Sequence, residues 1–584
     1  MTTGRQAREP ELPRRLAWAL ALGLGLAASR LPAQTTHTWP GAVPCNGTLQ
    51  ACIDAAAGGD IVEVATDGPI AEAIDILGKS LTLRPAAGFA PVFAPFPFID
   101  AIEAFGGDSD VTVVIEGMTA QDSTITAYQR GTGRFDVTIR GNTIQAASLD
   151  ADFRGIAVRS FGPAPYGPMG FLILENELDL GFALVNNMAG ISIRELQGPG
   201  ASAGTIAGNL IQAQGSGSTG AAIEIRNTTA PLSVGVIANH IRGAGFNEGI
   251  SVFQTAEGGS TAASIVNNLV TGTVEITGPQ PGGISLLVED GTGSFTVLNN
   301  TVAENEVGVV VGGDLAAGGS LSGVLANNVV AGNTSQGIVI DSDFAAPFTN
   351  EDNLVFGNGA NAFTAGPGTL VSDPLFVGGG DFHLQIGSPA RDAGNASLLP
   401  AGIVTDLDGA PRVQGPEVDL GAYELAELPG TVQFASDAFA VRENAGPALI
   451  TLTRTGGAAG ELAVRFSTTY GTAMAGADYT AVDTLVVWND GDGAPKTVAI
   501  PILDDLLLEG DESVVLTIAE AQPIQEQARA THEIAAPQVG GPSMAVLTIL
   551  DDESTTEIPT LSQWGLALLA ALVAAAALWR LRPA

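Results

Sequence analysis

Carboxylates are the reactive groups this chain has in quantity. Its 584 residues include 62 Asp and Glu against 24 Lys and Arg, with four His and two Cys, for a formal net charge of −38. Carboxylates do two kinds of chemistry here. Two acids flanking a sugar bond can cleave it, one as acid and one as base or nucleophile. Several acids together can hold Ca2+, a hard cation that takes roughly six to eight oxygen ligands. Asp150 with Asp152 and Asp341 with Asp343 are spaced two apart, so each pair points to one side of a strand end. Solvated turn acids show the same spacing. The four scattered histidines make no argument for a Ser-His-Asp triad. Of these, His240 reads as a surface or turn residue and His383 as structural. The acidic balance argues against nucleic acid and anionic membrane partners.

These acids must be positioned by a repeating scaffold. Asn recurs at 142, 176, 209, 239, 268, 300, 328 and 353, in steps of 34, 33, 30, 29, 32, 28 and 25 residues. A small residue before a branched one follows each of the first seven, at Gly155-Ile156, Gly190-Ile191, Ala222-Ile223, Gly249-Ile250, Gly283-Ile284, Gly308-Val309 and Gly337-Ile338. Two phrases on one drifting period mark a solenoid. The phrases Ile-Ala-Val-Arg at 156–159 and Ile-Ser-Ile-Arg at 191–194 alternate with period two, as strands do. Short strands between Gly and Asn bury their branched residues only by stacking on neighbouring coils. The expected fold is a parallel β-helix with coils about 4.8 Å apart. Asn at the corners suits left-handed backbone or bonds to the next coil.

Both ends carry processing signals. Arg5, Arg8, Arg14 and Arg15 precede an apolar run from Leu16 to Ala28 and a small-residue site at 31–33, the pattern of a secretory signal peptide over 1–33. Export places the rest where disulfides form. Cys45 and Cys52 then pin a short helix, with Leu49, Cys52, Ile53 and Ala56 on one face, as a lid on the first coil. A reactive thiol pair is the alternative. At the other end Leu566 to Trp579 is apolar and Arg580 and Arg582 close the chain. With Leu561, Trp564 and Trp579 included, this stretch is expected to span a bilayer or nearly so, as a transmembrane helix.

Four stretches resemble known families. Leu49 to Ala56 followed by Gly-Asp-Ile-Val-Glu-Val at 59–64 resembles the entrance of secreted bacterial β-helix proteins. Ser-Asp-Pro-Leu-Phe at 372–376, Asp-Phe-His-Leu at 381–384, Gly-Ser-Pro-Ala at 387–390, Asp-Leu-Asp-Gly at 406–409 and Asp-Leu-Gly-Ala-Tyr-Glu at 419–424 resemble their terminal coils. The resemblance implies a right-handed β-helix of the pectate-lyase-like superfamily over 34–424, and no activity by itself. After a linker at 425–430, Glu-Asn-Ala-Gly at 443–446, Gly-Thr-Ala at 471–473, Gly-Ala-Asp-Tyr at 476–479 and Glu-Gly-Asp-Glu at 509–512 follow in the order of a Calx-β domain, over 431–553. That implies an Ig-like β-sandwich, making the chain all-β. It also implies a Ca2+ site from Glu443, Asp478, Asp504, Asp505, Glu509, Asp551 and Asp552, brought together at one end. Leu506 and Leu507 stand where the calcium-sensing members carry further acids, which implies fewer ions or weaker binding. Acidic loops without an ion are the competing account. Finally Ile558, Pro559, Thr560, Leu561, Trp564 and Gly565, within 554–584, resemble an IPTL-type sorting signal of Gram-negative bacteria. It implies an exosortase-like processing enzyme as partner and a cell-surface or released product.

Two functions are compatible with this text. One is a non-catalytic surface protein whose β-helix presents loops to glycans or neighbouring surfaces, with the sandwich as a calcium-stiffened spacer. The other is an extracellular polysaccharide lyase or glycoside hydrolase. A lyase needs a basic side chain, and Lys79 is the solenoid's lysine. The Arg-x-Pro-x-x-Arg phrase of lyases and the Asn-Thr-Asp, Gly-His-Gly and Arg-Ile-Lys phrases of pectin hydrolases do not occur.

Overall fold

The recurrent asparagines form a column. Asn142, Asn176, Asn209, Asn239, Asn268, Asn300, Asn328 and Asn353 are each at most 1% exposed. Each Oδ1 from Asn176 onward accepts both the Nδ2 and the backbone N–H of the asparagine one coil earlier, at 2.9–3.1 Å. The same Nδ2 groups also donate to main-chain carbonyls, as Asn239 does to Ile206 at 2.9 Å and Asn268 to Val236 at 2.8 Å. A buried amide is thereby satisfied on every side, which is the condition for burying it at all.

The computed structural model describes residues 34–579, apart from 96–99, 148–152, 163–164, 182–187, 214–219, 228, 244, 256–257, 275–281, 314–318, 342–347, 360–364, 427, 459, 490, 521–537 and 554–562. The expected signal peptide lies outside these residues. So do Asp150, Asp152 and Asp343 of the two candidate acid pairs. Two compact units emerge, Met1–Ala426 and Glu427–Ala584.

The first unit is a parallel β-helix. Three parallel sheets, of twelve, ten and eleven described strands, each take every third strand in chain order along the repeats. One coil runs Phe135–Arg140, Thr143–Ala146 and Arg154–Ser160, and the next Met169–Leu174, Glu177–Leu180 and Ala189–Arg194. Like sits on like: Ile139 pairs with Ile173, Ile144 with Leu178, Ile156 with Ile191. These rows fill the interior, each fully buried branched side chain contributing about 1.5–3 kcal/mol. The small residue of the second phrase has a steric cause. A Cβ on Gly249 would stand 2.5 Å from the carbonyl oxygen of Gly283, and one on Gly308 2.5 Å from that of Gly337.

The left-handed backbone expected at the column asparagines belongs to the residue before. Gly141, Glu175, Gly208, Ala238, Asn267, Asn299, Asn327 and Asp352 all have positive φ. The column residue needs its amide inside, so the strained turn is taken by its neighbour. A shorter column, Asn305, Asn333 and Asn358, closes another corner in the same way.

A helix, α1 (Leu49–Ala55), lies at the N-terminal end, and the Cys45–Cys52 disulfide ties it down. Glu72 accepts the N–H groups of Leu49 and Gln50, at 2.6 and 3.2 Å. Lys79 donates to the carbonyls of Ile53, Asp54 and Ala56, at 2.5, 3.1 and 2.9 Å. The solenoid's lysine therefore satisfies the helix C-terminus. A strand before the helix, Thr36–Trp39, already pairs in the first sheet.

Residues 372–424, expected as terminal coils, instead fold back along the solenoid. Their own strands, Phe376–Gly378 and Asp381–Leu384, form an antiparallel pair. The segment then passes the outer corners, reaching Asn327 first, then Asn267, then Asn299. Asn327 donates to Asn395 O, Asn299 to Asp419 O and Asn267 to Thr405 O. Tyr423 Oη lies 2.9 Å from His240 Nε2 and stacks on His383. His383 in turn bridges Asp381 and Asp408, whose hydrogen bonds raise it to about 9. The corner asparagines donate from Nδ2 to the segment's backbone carbonyls there.

The second unit is a sandwich. A sheet of Lys496–Ile500, Ala448–Thr455, Thr431–Phe434 and Gln538–Val539 faces one of Ala438–Arg442, Met544–Leu550, Glu512–Glu520, Leu462–Tyr470 and Asp483–Trp488. Trp488, Phe466, Phe434 and Tyr479 fill the space between. The tail helix α2 (Gln563–Trp579) has 17 residues, about 25 Å at 1.5 Å per residue, short of a hydrocarbon core of about 30 Å. Among the described residues no helix is long and apolar enough to cross a membrane, so the spanning helix expected from Leu561 onward is not supported.

Replacing one amide in mid-column tests this stacking. Asn268→Ala removes the side-chain donor to the Val236 carbonyl, the acceptor of the Asn239 N–H, and one of the two acceptors of the Asn239 Nδ2. Urea unfolding followed by circular dichroism is expected to show a loss of about 3 kcal/mol or more from the solenoid transition; a loss under about 1 kcal/mol would contradict a column in which each amide is needed.

Candidate functional site

Strand register gathers the acids of the sandwich. Ala438–Arg442 runs parallel to Met544–Leu550 with Arg442 opposite Leu550. The next residues, Glu443 on one strand and Asp551, Asp552 and Glu553 on the other, must therefore emerge side by side. Glu512–Glu520 runs antiparallel to the same strand with Glu512 opposite Ile549, which adds Glu512 to that end. The backbone N–H of Met474 holds Asp478 Oδ2 at 2.6 Å.

Two groups result. Glu443, Asp552 and Glu553 each bring one oxygen within 4.8 Å of the others, and so do Asp478, Glu509 and Glu512. A pocket lined by Glu443, Asp478, Glu509, Glu512 and Asp551 lies among them. Of the seven acids expected, Glu443, Asp478, Glu509 and Asp552 fall into the groups and Asp551 lines the pocket. Asp504, exposed, and Asp505, half-buried, act on Glu443 through their charge. Glu512 and Glu553 were not expected. Glu553 extends the visible run after Leu550, whereas Glu512 closes the Glu-Gly-Asp-Glu phrase at 509–512 and is placed among the other acids by the antiparallel register.

The electrostatics are those of an incomplete site. Burial and then the carboxylates of Asp505, Asp504 and Asp551 push Glu443 up. Burial and the shared hydrogen bond with Asp478 push Glu512 up to about 7. Burial, followed by Asp478, Asp505 and Asp551, raises Glu509. Asp551 alone is held low, by the N–H groups of Gly510 at 2.7 Å, Glu553 at 3.0 Å and Glu509 at 3.2 Å. Asp552 Oδ1 and Glu553 Oε2 are shielded from solvent without a hydrogen-bond partner. Converging oxygens, mutual repulsion and orphaned acceptors fit a hard cation.

The solenoid carries a second charged feature, on the outer face of its ten-stranded sheet. Arg159, Arg194 and Arg226 stand in register on three successive coils. Phe105 and Tyr128 precede them in the same row and Phe253 follows. Arg159 lies over the Tyr128 and Phe161 rings at 5.0 and 5.4 Å, Arg226 over Phe253 at 5.1 Å and Arg130 over Phe105 at 3.8 Å. Beside the row, Glu224 meets Arg194 at 3.3 Å, Arg154 at 3.7 Å and Ser192 Oγ at 2.8 Å. Near its start Glu103 is raised to about 8 by burial and by Asp100 and Asp75, and Tyr128 donates to Asp100 at 3.2 Å. The arginine closing each alternating phrase is visible in the sequence; its alignment across coils follows from the strand register.

Comparison with known proteins bears on the sandwich and the tail. Residues 427–553 match the Calx-beta domain. Residues 427–553 of the second unit form a Calx-beta domain. It is 32% identical over 126 residues to sodium/calcium exchanger 1 of Canis lupus familiaris and 30% identical over 128 residues to that of Rattus norvegicus. These alignments take in 20% and 21% of this chain, and 13% of each exchanger. Among solved structures, the apo Calx CBD1 domain aligns with 21% of this chain and 99% of its own, at 23% identity and TM-score 0.18. The PL6 family alginate lyase AlyGC aligns with 70% of this chain and 61% of its own, at 14% identity and TM-score 0.30. Residues 558–583 match the IPTL-CTERM motif, which implies an exported cell-surface protein processed by an exosortase-like enzyme. The Ile558–Leu561 part lies outside the described residues, while Trp564 and Gly565 open α2.

The raised acids of the Calx-beta domain set a pH dependence. Glu512 holds its proton to about pH 7 when folded but only to about 4.5 when unfolded. Between those values the folded state binds more protons, so stability falls as pH rises through the window and levels off above it. With chelator present, thermal melts are expected to give a higher midpoint for this domain at pH 5 than at pH 8. Equal midpoints, or the reverse order, would contradict the convergence of these acids.

Proposed function

We propose that this is an exported, surface-sorted and non-catalytic protein. Its β-helix, 34–424, presents a binding face to glycans or neighbouring surfaces. Its Calx-beta domain, 431–553, is a calcium-stiffened spacer joined through 425–430. The signal peptide, 1–33, and the sorting tail, 554–584, direct export and processing. The observation that carries the calcium reading is the convergence of two groups of three carboxylates at one end of the sandwich. Glu443, Asp552 and Glu553 would hold one ion, and Asp478, Glu509 and Glu512 another, with Asp551 between. The ions supply positive charge that cancels the repulsion and locks the loops. Binding to the folded state alone then raises stability by mass action. The similarity of this domain to part of a sodium/calcium exchanger points the same way.

The arginine row supports a glycan face, since guanidinium groups pair with carboxylate or sulfate, and the exposed ring of Phe161 beside it can stack on a sugar. One observation favours the alternative of a polysaccharide lyase or glycoside hydrolase. Glu103, protonated at neutral pH beside Asp100 and Tyr128, has the state a general acid needs. Sugar release from a panel of acidic polysaccharides, abolished by Glu103→Gln, would establish that alternative.

Melting in calcium and in chelator tests the main reading. Calcium is expected to raise the midpoint of the Calx-beta domain by several degrees, and the double variant E443Q/D478N to lose that shift. Identical midpoints with and without calcium in the wild-type protein would refute it.

A further inference from the structure

Three consecutive leucines at the acid end take no part in cation binding. Leu506, Leu507 and Leu508 are 89%, 60% and 56% exposed. They occupy the loop between Asp505 and Glu509, with acids of the site on both sides. Met474, whose N–H holds Asp478, is also exposed, at 64%. None of these side chains belongs to the sandwich core. An apolar tip ringed by carboxylates is repelled by an anionic surface until the carboxylates are neutralised.

Chain continuity says what kind of surface it meets. Strand Met544–Leu550 delivers the chain to the acid end, and the apolar helix α2 starts at Gln563, ten residues after Glu553. Ten residues span at most about 35 Å. The leucine tip and the tail helix, whose Leu566, Leu568, Leu569, Leu572 and Val573 are exposed, therefore leave the same end of one domain within a short reach.

We infer that the acid end of the Calx-beta domain docks on an anionic bilayer when calcium is bound, with Leu506, Leu507 and Leu508 entering the acyl boundary. The inference rests on the calcium reading above. Two bound ions offset four of the negative charges at this end and complete their oxygen shells with lipid phosphate. Removing the leucines from water then supplies the apolar part of the affinity. This reverses, at one end only, the exclusion of anionic membranes that the net charge of −38 implies.

The test is co-sedimentation of the full chain with phosphatidylglycerol–phosphatidylcholine vesicles, in calcium and in chelator. The tail helix contributes equally in both, so the calcium-dependent increment is the readout. The expected result is a large increment that disappears on pure phosphatidylcholine. In L506S/L507S/L508S it should fall by at least tenfold, on the basis of roughly tenfold per buried leucine. The same variant should keep the wild-type calcium shift in melting, which shows that its fold and ion site are intact. A wild-type melt that shifts with calcium while sedimentation does not would overturn this inference and leave the calcium site standing. An increment unchanged in the triple variant would also overturn it, and would assign the docking to ion bridging or a partner protein. No calcium shift in the melt would bring down both readings together.

Discussion

Register is the constraint on which this molecule depends. Backbone pairing fixes which residue of one strand lies beside which residue of the next, and everything of chemical interest is a consequence. In the solenoid it sets asparagine over asparagine, so that amides too polar to bury singly become a continuous hydrogen-bonded column. It sets Gly249 against Gly283, where any side chain would collide with a carbonyl oxygen. In the sandwich it brings the residues just beyond three strand ends into one place, and those residues are acids.

The two units use this device to opposite electrostatic ends. The outer row of the ten-stranded sheet stacks Arg159, Arg194 and Arg226, concentrating positive charge on a chain that is strongly acidic. Aromatic rings and Glu224 keep the guanidinium groups apart and oriented. At the acid end nothing of the kind is provided: every charge that moves Glu443 is another carboxylate. A cation among these carboxylates would relieve that repulsion.

Much of the solenoid was legible in the sequence because its period is enforced residue by residue. The asparagine steps match the column's hydrogen bonds from Asn142 to Asn353. What was illegible followed from tertiary choice. The text cannot say whether a column asparagine or its predecessor takes the left-handed turn, because both are small or polar. Residues 372–424 contain strand-like phrases, yet Asn267, Asn299 and Asn327 offer Nδ2 donors that the carbonyls of a returning segment accept. Lys79 looked available for catalysis until the carbonyls at the end of α1 claimed it. At the acid end, local motifs identified four members of the two groups, but Glu512, last of the Glu-Gly-Asp-Glu phrase, is placed among them by antiparallel pairing with a strand more than thirty residues away in sequence. The tail showed the limit of composition, since an apolar run counted by residues was shorter as a helix than a bilayer requires.

The claim that register assembles a cation site can be examined at the atoms themselves. Crystals of the full chain grown in calcium, with anomalous diffraction data, would locate any ion directly. The account predicts anomalous peaks within coordination distance of Glu443, Asp552 and Glu553 and of Asp478, Glu509 and Glu512. Carboxylates that stay in these positions with no peak among them, at calcium concentrations well above physiological, would contradict it.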